Sequence, residues 1–89
     1  MAVIQKGLFH VMERFPNHKD NVKRIFRESE TFQAICEDYV SCVETLRYWN
    51  RVESEEAFAH REEYTELLKD LEADILQRLN ESKKLDKGL

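Results

Sequence analysis

Glycine and proline are almost missing from this 89-residue chain: Gly7 and Gly88 are its two glycines and Pro16 its one proline. A loop that cradles phosphate needs several glycines close together, ordinarily between a strand and a helix, so a nucleotide-binding loop is excluded. The same scarcity, with 42% apolar residues, excludes collagen-like and low-complexity chains. Long hydrophobic runs are missing too. No stretch approaches the ~18 apolar residues of a membrane span, and Gln5, Lys6, Gly7, His10 and Glu13 interrupt the N-terminal segment that a secretory leader would keep apolar. The two cysteines, Cys36 and Cys42, stand about 9 Å apart in rise and about 120° apart in direction on the helix expected there, so they cannot bridge locally. A reducing, cytoplasmic setting is expected. Positive charge is in deficit, with a net charge of −4. This argues against a general nucleic-acid binder, whose affinity comes from neutralising phosphates.

What remains suffices for one helical domain over residues 1–89: five phenylalanines, three tyrosines and one tryptophan supply the bulk of a core. Ile4, Leu8, Val11, Met12 and Phe15 recur on one helical face, predicting a first helix over 2–15 that Pro16 ends. Asn17 is the expected cap of a second helix over 18–28, whose apolar face is only Val22, Ile25 and Phe26. The hydroxyls of the Ser29-Glu30-Thr31 stretch can cap a third helix, predicted over 31–51. In it Phe32, Ile35, Cys36, Tyr39, Cys42, Val43, Leu46 and Trp49 cover an arc of about 140°. Ser54 amid acids opens a fourth helix over 55–82, with Lys83, Lys84 and Lys87 suited to the far end of its dipole and 83–89 read as a tail. Its stripe of Ala57, Tyr64, Leu67, Leu68, Leu71, Ile75 and Leu79 is about 120° wide, with Leu71 expected at the centre of the core. The fold class is therefore all-α: an antiparallel hairpin of two long helices completed by two shorter N-terminal ones, four helices in a bundle-like arrangement.

Chemistry-bearing patterns are sparse. A di-metal carboxylate bundle needs Glu-x-x-His pairs on two helices. The residues three before His10, His18 and His60 are Gly7, Phe15 and Ala57, so no metal or cofactor is expected. His60 borders the apolar stripe of the fourth helix, where a histidine bonded to a neighbour is the simpler reading than a ligand or pH-sensing role. An enzyme using His60 with Glu56 or Glu63 would lack a nucleophile, a metal motif and a cofactor loop, so no enzymatic activity is expected. The cysteines flank the stripe of the third helix, where cysteine packs as a small hydrophobe.

Charge is distributed less blandly. Residues 53–74 hold nine acids against two bases. Lys19, Lys23 and Arg27 repeat every four residues on the second helix with Arg24 beside them, and Glu62, Glu66, Asp70 and Asp74 repeat likewise on the fourth. Like charges at that spacing cost an isolated helix about 0.2–0.5 kcal/mol per pair, so either water solvates a charged face, the simpler reading, or a partner offsets some of them. Phe9, Phe58 and Leu76 fall off the predicted core faces, as apolar interface residues do.

The run Phe26-Arg27-Glu28-Ser29-Glu30-Thr31-Phe32, followed by Cys36-Glu37-Asp38-Tyr39, resembles a group of short bacterial helical proteins without an assigned function, over about residues 18–82. The resemblance implies a helical fold and a bacterial cytoplasmic setting, and carries over no site residue. The expected function is a non-enzymatic interaction or structural module, acting on a protein partner or on itself as a homodimer. Its interface would be formed from Lys19, Lys23, Arg24, Arg27, Phe58, Glu62, Glu66, Asp70, Asp74 and Leu76. The rival reading is a small regulator that holds a phosphate-rich ligand or nucleic acid on the basic stripe.

Overall fold

The computed structural model describes the backbone of residues 5–87 and the side chains of 6–81. Four α-helices follow one another, α1 (Gln5–Arg14), α2 (Lys19–Glu28), α3 (Glu30–Arg51) and α4 (Glu55–Lys87), with a short 3₁₀ turn at Pro16–His18. The all-α expectation holds. Ile4 and the predicted start of the first helix lie outside the described residues, as do the side chains of Lys83, Lys84 and Lys87 and all of Gly88.

Local chemistry explains most boundaries. Ser29 leaves helical geometry (φ −130°, ψ 114°) and its hydroxyl accepts from the Phe32 backbone N–H at 3.1 Å, so α2 and α3 are separate helices and α3 starts one residue earlier than expected. Ser54 caps α4 through the Ala57 N–H at 3.2 Å. Asn17 does not cap α2. Pro16 pre-sets the backbone of a 3₁₀ turn that absorbs Asn17, and the cap position falls to His18, which makes no side-chain capping bond. The expected stop at 82 is also wrong: α4 continues to Lys87, because no glycine or proline interrupts residues 83–87.

α4 packs most extensively on α3, and α1 packs next most on α3. The α3–α4 pairings descend in opposite directions, Trp49 with Arg61, Cys42 with Tyr64 and Tyr39 with Glu72. At about 1.5 Å per residue α4 is about 50 Å long, which accounts for a molecule measuring 53 × 28 × 21 Å. The core is gathered where all four helices meet: Val11, Phe15, Val22, Phe26, Phe32, Cys36, Tyr39, Ile75 and Leu79.

The core centre differs from the expected one. Ile75 and Leu79 are fully buried, whereas Leu71 is half-buried at the edge. α1 and α2 meet the hairpin near the C-terminal half of α4, so burial there is deepest one to two turns beyond Leu71. Ile75→Ala should therefore cost about 2–5 kcal/mol in equilibrium unfolding, and Leu71→Ala less. Equal losses at the two positions would contradict this placement.

Gly7 explains how α1 comes so close to α3. A Cβ there would stand 2.8 Å from the Cys36 carbonyl oxygen and 2.9 Å from its carbon, both backbone atoms that cannot rotate away. Alanine is about 1 kcal/mol better than glycine inside a free helix. Gly7→Ala should nonetheless destabilise the fold by about 1–3 kcal/mol in denaturant titration, because it forces the helices apart. A stabilised variant would show that the approach is not tight.

Candidate interaction surfaces

Two groups of contacts define the two faces of the α3–α4 layer. On one face Gly7 of α1 lies on Cys36, Lys6 pairs with Glu44, and the Arg14 guanidinium forks onto Glu72 at 2.8 and 3.2 Å. α2 reaches the same side: the Asn21 amide donates to the Leu79 carbonyl at 3.0 Å, and Gln33 donates to the Phe26 carbonyl at 2.6 Å. This is the covered face. On the other, the Cys42 thiol donates to the Tyr64 carbonyl at 3.4 Å and the Trp49 ring stacks on His60 with centroids 4.2 Å apart. No other element of the described residues packs there, and it is the open face.

The cysteines sit as expected, on opposite flanks of the α3 stripe and both buried. Cys36 turns towards α1, and burial, followed by the nearby Glu37 charge, pushes its thiol up to about 12 from an ordinary 9.0. Burial also raises Cys42. Thiolate is therefore scarce near neutral pH, which removes the basis for a redox sensor. Tyr39 is buried with its hydroxyl donating to Glu72 at 3.0 Å. Burial first, and that bond second, push it up to about 12. With Arg14 it forms a three-residue polar link between α1, α3 and α4 that sequence spacing does not reveal.

The predicted ladders are both present and do not meet. Lys19, Lys23 and Arg27 are exposed on α2, and no ion pair among the described residues joins them to the acids of α4. Arg24 is half-buried, bonded to Asn21 and 3.9 Å from Glu28. On α4 the offsets are local: Lys69 lies 3.7 Å from Glu66, and Arg78 lies 3.1 Å from Asp74. A four-residue step advances about 40° around a helix, so the acidic ladder winds from beside Phe58 at its upper end towards the open face at Asp74.

The off-core apolar residues are exposed as expected, Phe58 at 59%, Phe9 at 53% and Leu76 at 39%. Phe58 and Leu76 are eighteen residues apart, five whole turns and about 27 Å, so they lie on one line of α4. Phe58 helps line an open concavity of about 450 Å³ with Asn50, Arg61, Glu62, Thr65 and Glu66. A second concavity of about 710 Å³ takes in Lys19, Arg24 and Arg27 but not Lys23, with His18 and Asp20 also in its wall.

Sequence reasoning missed the cluster at the hairpin end. Tyr48 meets Trp49 edge-on at 5.0 Å, Trp49 stacks on His60, and Arg61 donates to the Trp49 and Val52 carbonyls at 3.0 and 3.2 Å, holding the last turn of α3. His60 is the boundary histidine expected, 3.7 Å from Glu63. Among the described residues no group of three or more His, Cys, Asp or Glu side chains could hold a metal ion, and no helix is long and apolar enough to cross a membrane. No family model, curated protein or solved structure matches the chain.

The buried titratable pair has a consequence at alkaline pH. Cys36 and Tyr39 are held neutral in the fold, whereas the unfolded chain ionises them near 9.0 and 10.0. Their contribution is complete below the unfolded values and is lost as pH rises through them towards about 12. The melting temperature should fall over that window, and less steeply in a Cys36→Ala, Tyr39→Phe variant. Parallel profiles would show that neither group drives the loss.

Proposed function

We propose that this chain is a non-enzymatic helical interaction module that pairs with a second copy of itself. A hairpin of α3 and α4, completed on one face by α1 and α2, is its working frame. The observation that carries the reading is the pair of ladders: opposite charges at matching four-residue spacing, on different helices, with no ion pair between Lys19, Lys23 or Arg27 and the acidic ladder among the described residues. Phe58 and Leu76, aligned on α4, supply apolar contact beside the acidic one. In a two-fold pair, α2 of each copy meets α4 of the other and every contact is used twice. Exposed ion pairs contribute about 0.2–1 kcal/mol each and are screened by salt, so apolar burial provides most of the affinity and the charges set register.

A second reading rests on the concavity along the basic stripe, which would suit a phosphate-bearing ligand. Asp20 in its wall and the net acidity of the chain weigh against it.

Sedimentation over a range of concentration tests the first reading. Wild type should form a dimer that a Phe58→Glu, Leu76→Glu variant loses. Lys23→Glu with Arg27→Glu should weaken it, and Glu66→Lys with Asp70→Lys should partly restore it. A wild type that is monomeric throughout defeats self-association, and a dimer without rescue shows that the ladders do not meet, leaving the stripe free for the ligand.

A further inference from the structure

α1 and α2 both lie on the covered face, and the open face carries lines of mainly apolar side chains, with Cys42 buried between Ile35 and Trp49 and His60 as a polar member. On α3, Ile35, Cys42 and Trp49 follow one another at seven-residue intervals; on α4, Tyr64 and Leu71 do so, and His60 and Leu67 beside them. Seven residues are nearly two whole turns, so each set forms a line along its helix, the arrangement that receives another helix in a coiled coil. Contacts fix the direction of these lines: Cys42 on Tyr64 and Trp49 on His60 lie away from Gly7, Arg14 and Asn21. Ile35, Trp49, Tyr64 and Leu71 are half-buried, and Leu67 is 44% exposed. From Ile35 to Trp49 the strip is about 21 Å long, four turns of a docked helix.

The rim states which helix fits. By the same angular positions Asp38 borders the strip on α3, and Glu63, Asp70 and Asp74 border it on α4. Arg78, paired with Asp74, is the one cation placed there among the described residues. The other described cations belong to α1 or α2, or, as Arg47, Arg51, Arg61 and Lys69, occupy angular positions away from the open face. A second copy laid symmetrically on this face would bring acid against acid, which costs affinity. An apolar helix flanked by lysine and arginine would meet complementary charge on both sides.

We propose that the open face of α3 and α4 binds a basic amphipathic helix of another protein. Leu67 and the half-exposed edges of Ile35, Leu71 and Trp49 take its apolar side chains, while Asp38, Glu63 and Asp70 orient its flanking cations. This goes beyond self-association, since the surface lies around α4 from the Phe58–Leu76 line, and the two are separable by variant.

The test uses the whole chain and two synthetic helical peptides of about 16 residues, with the same leucine face and either lysine or glutamate flanks. Trp49, the only tryptophan, reports docking by a blue shift of its emission. The lysine peptide should bind, more weakly as salt is raised, and the glutamate peptide should not. Leu67→Glu should lower the affinity at least about tenfold with helical content unchanged. Asp38→Lys with Asp70→Lys should lower it and flatten its salt dependence, and Phe58→Glu with Leu76→Glu should leave it intact. Equal binding of both peptides, or Leu67→Glu binding like wild type, overturns the proposal. A wild-type dimer dissolved by Leu67→Glu overturns it in favour of a second copy as occupant.

Discussion

An apolar arc wider than one neighbour can cover governs this fold. Each long helix presents a stripe of about 120–140°, and a lone partner covers less than that. α3 and α4 therefore bury the middle of each other's stripe and leave two flanks. α1 and α2 close one flank over the lower part of the pair, where Phe32, Ile75 and Leu79 become inaccessible. The close seat of α1, made possible by Gly7 against Cys36, also brings Arg14 to Glu72 and Tyr39. The remaining flank has no counterpart among the described residues, and of its side chains only Cys42 is buried, while Ile35, Trp49, Tyr64 and Leu71 stop at half-burial.

The number, type and approximate limits of the helices were legible in the sequence, because each depends on local terms: apolar spacing, the Ser29 and Ser54 hydroxyls, the break at Pro16. The errors were local competitions decided the other way. Asn17 lost its capping role to a proline-initiated turn, and α4 outran a stop inferred only from basic charge. Tertiary placement was less legible. Leu71 is central to its own stripe, but centrality in the molecule depends on where α1 and α2 settle, and they settle nearer Ile75. The Arg14–Tyr39–Glu72 link spans 58 residues from Arg14 to Glu72 and leaves no mark in periodicity. One usable signal went unread: a glycine inside a predicted helix is unfavourable on its own, so Gly7 already implied a close neighbour. The Trp49–His60 stack needed the register of the pair, which stripes alone do not fix.

The candidate surfaces divide in the same way. The ladders were visible as spacing and are present on α2 and α4, but that no ion pair joins them among the described residues could only be seen in three dimensions. The seven-residue lines on the open face were also present in the sequence. They were indistinguishable from core until the structure showed which flank α1 and α2 occupy.

The charge asymmetry constrains how a second copy could pair. Acids border the open face, while Lys19, Lys23 and Arg27 project from the helix that helps to cover the other. A two-fold axis through the open face would set Asp38, Glu63 and Asp70 against their own copies. An axis through the covered face would set the α2 stripes against each other. Only an axis beside α4, where the upper end of the acidic ladder runs next to Phe58, lets opposite signs meet while keeping the pair closed. Stacking the covered face of one copy on the open face of the next also matches charge, but that contact is heterologous and propagates without closure unless its rotation happens to close a ring. The winding of the ladder therefore grades from one proposed surface to the other: Glu62 and Glu66 belong to the flank that a second copy can reach, Asp74 to the rim of the face that it cannot share symmetrically, and Asp70 stands between them.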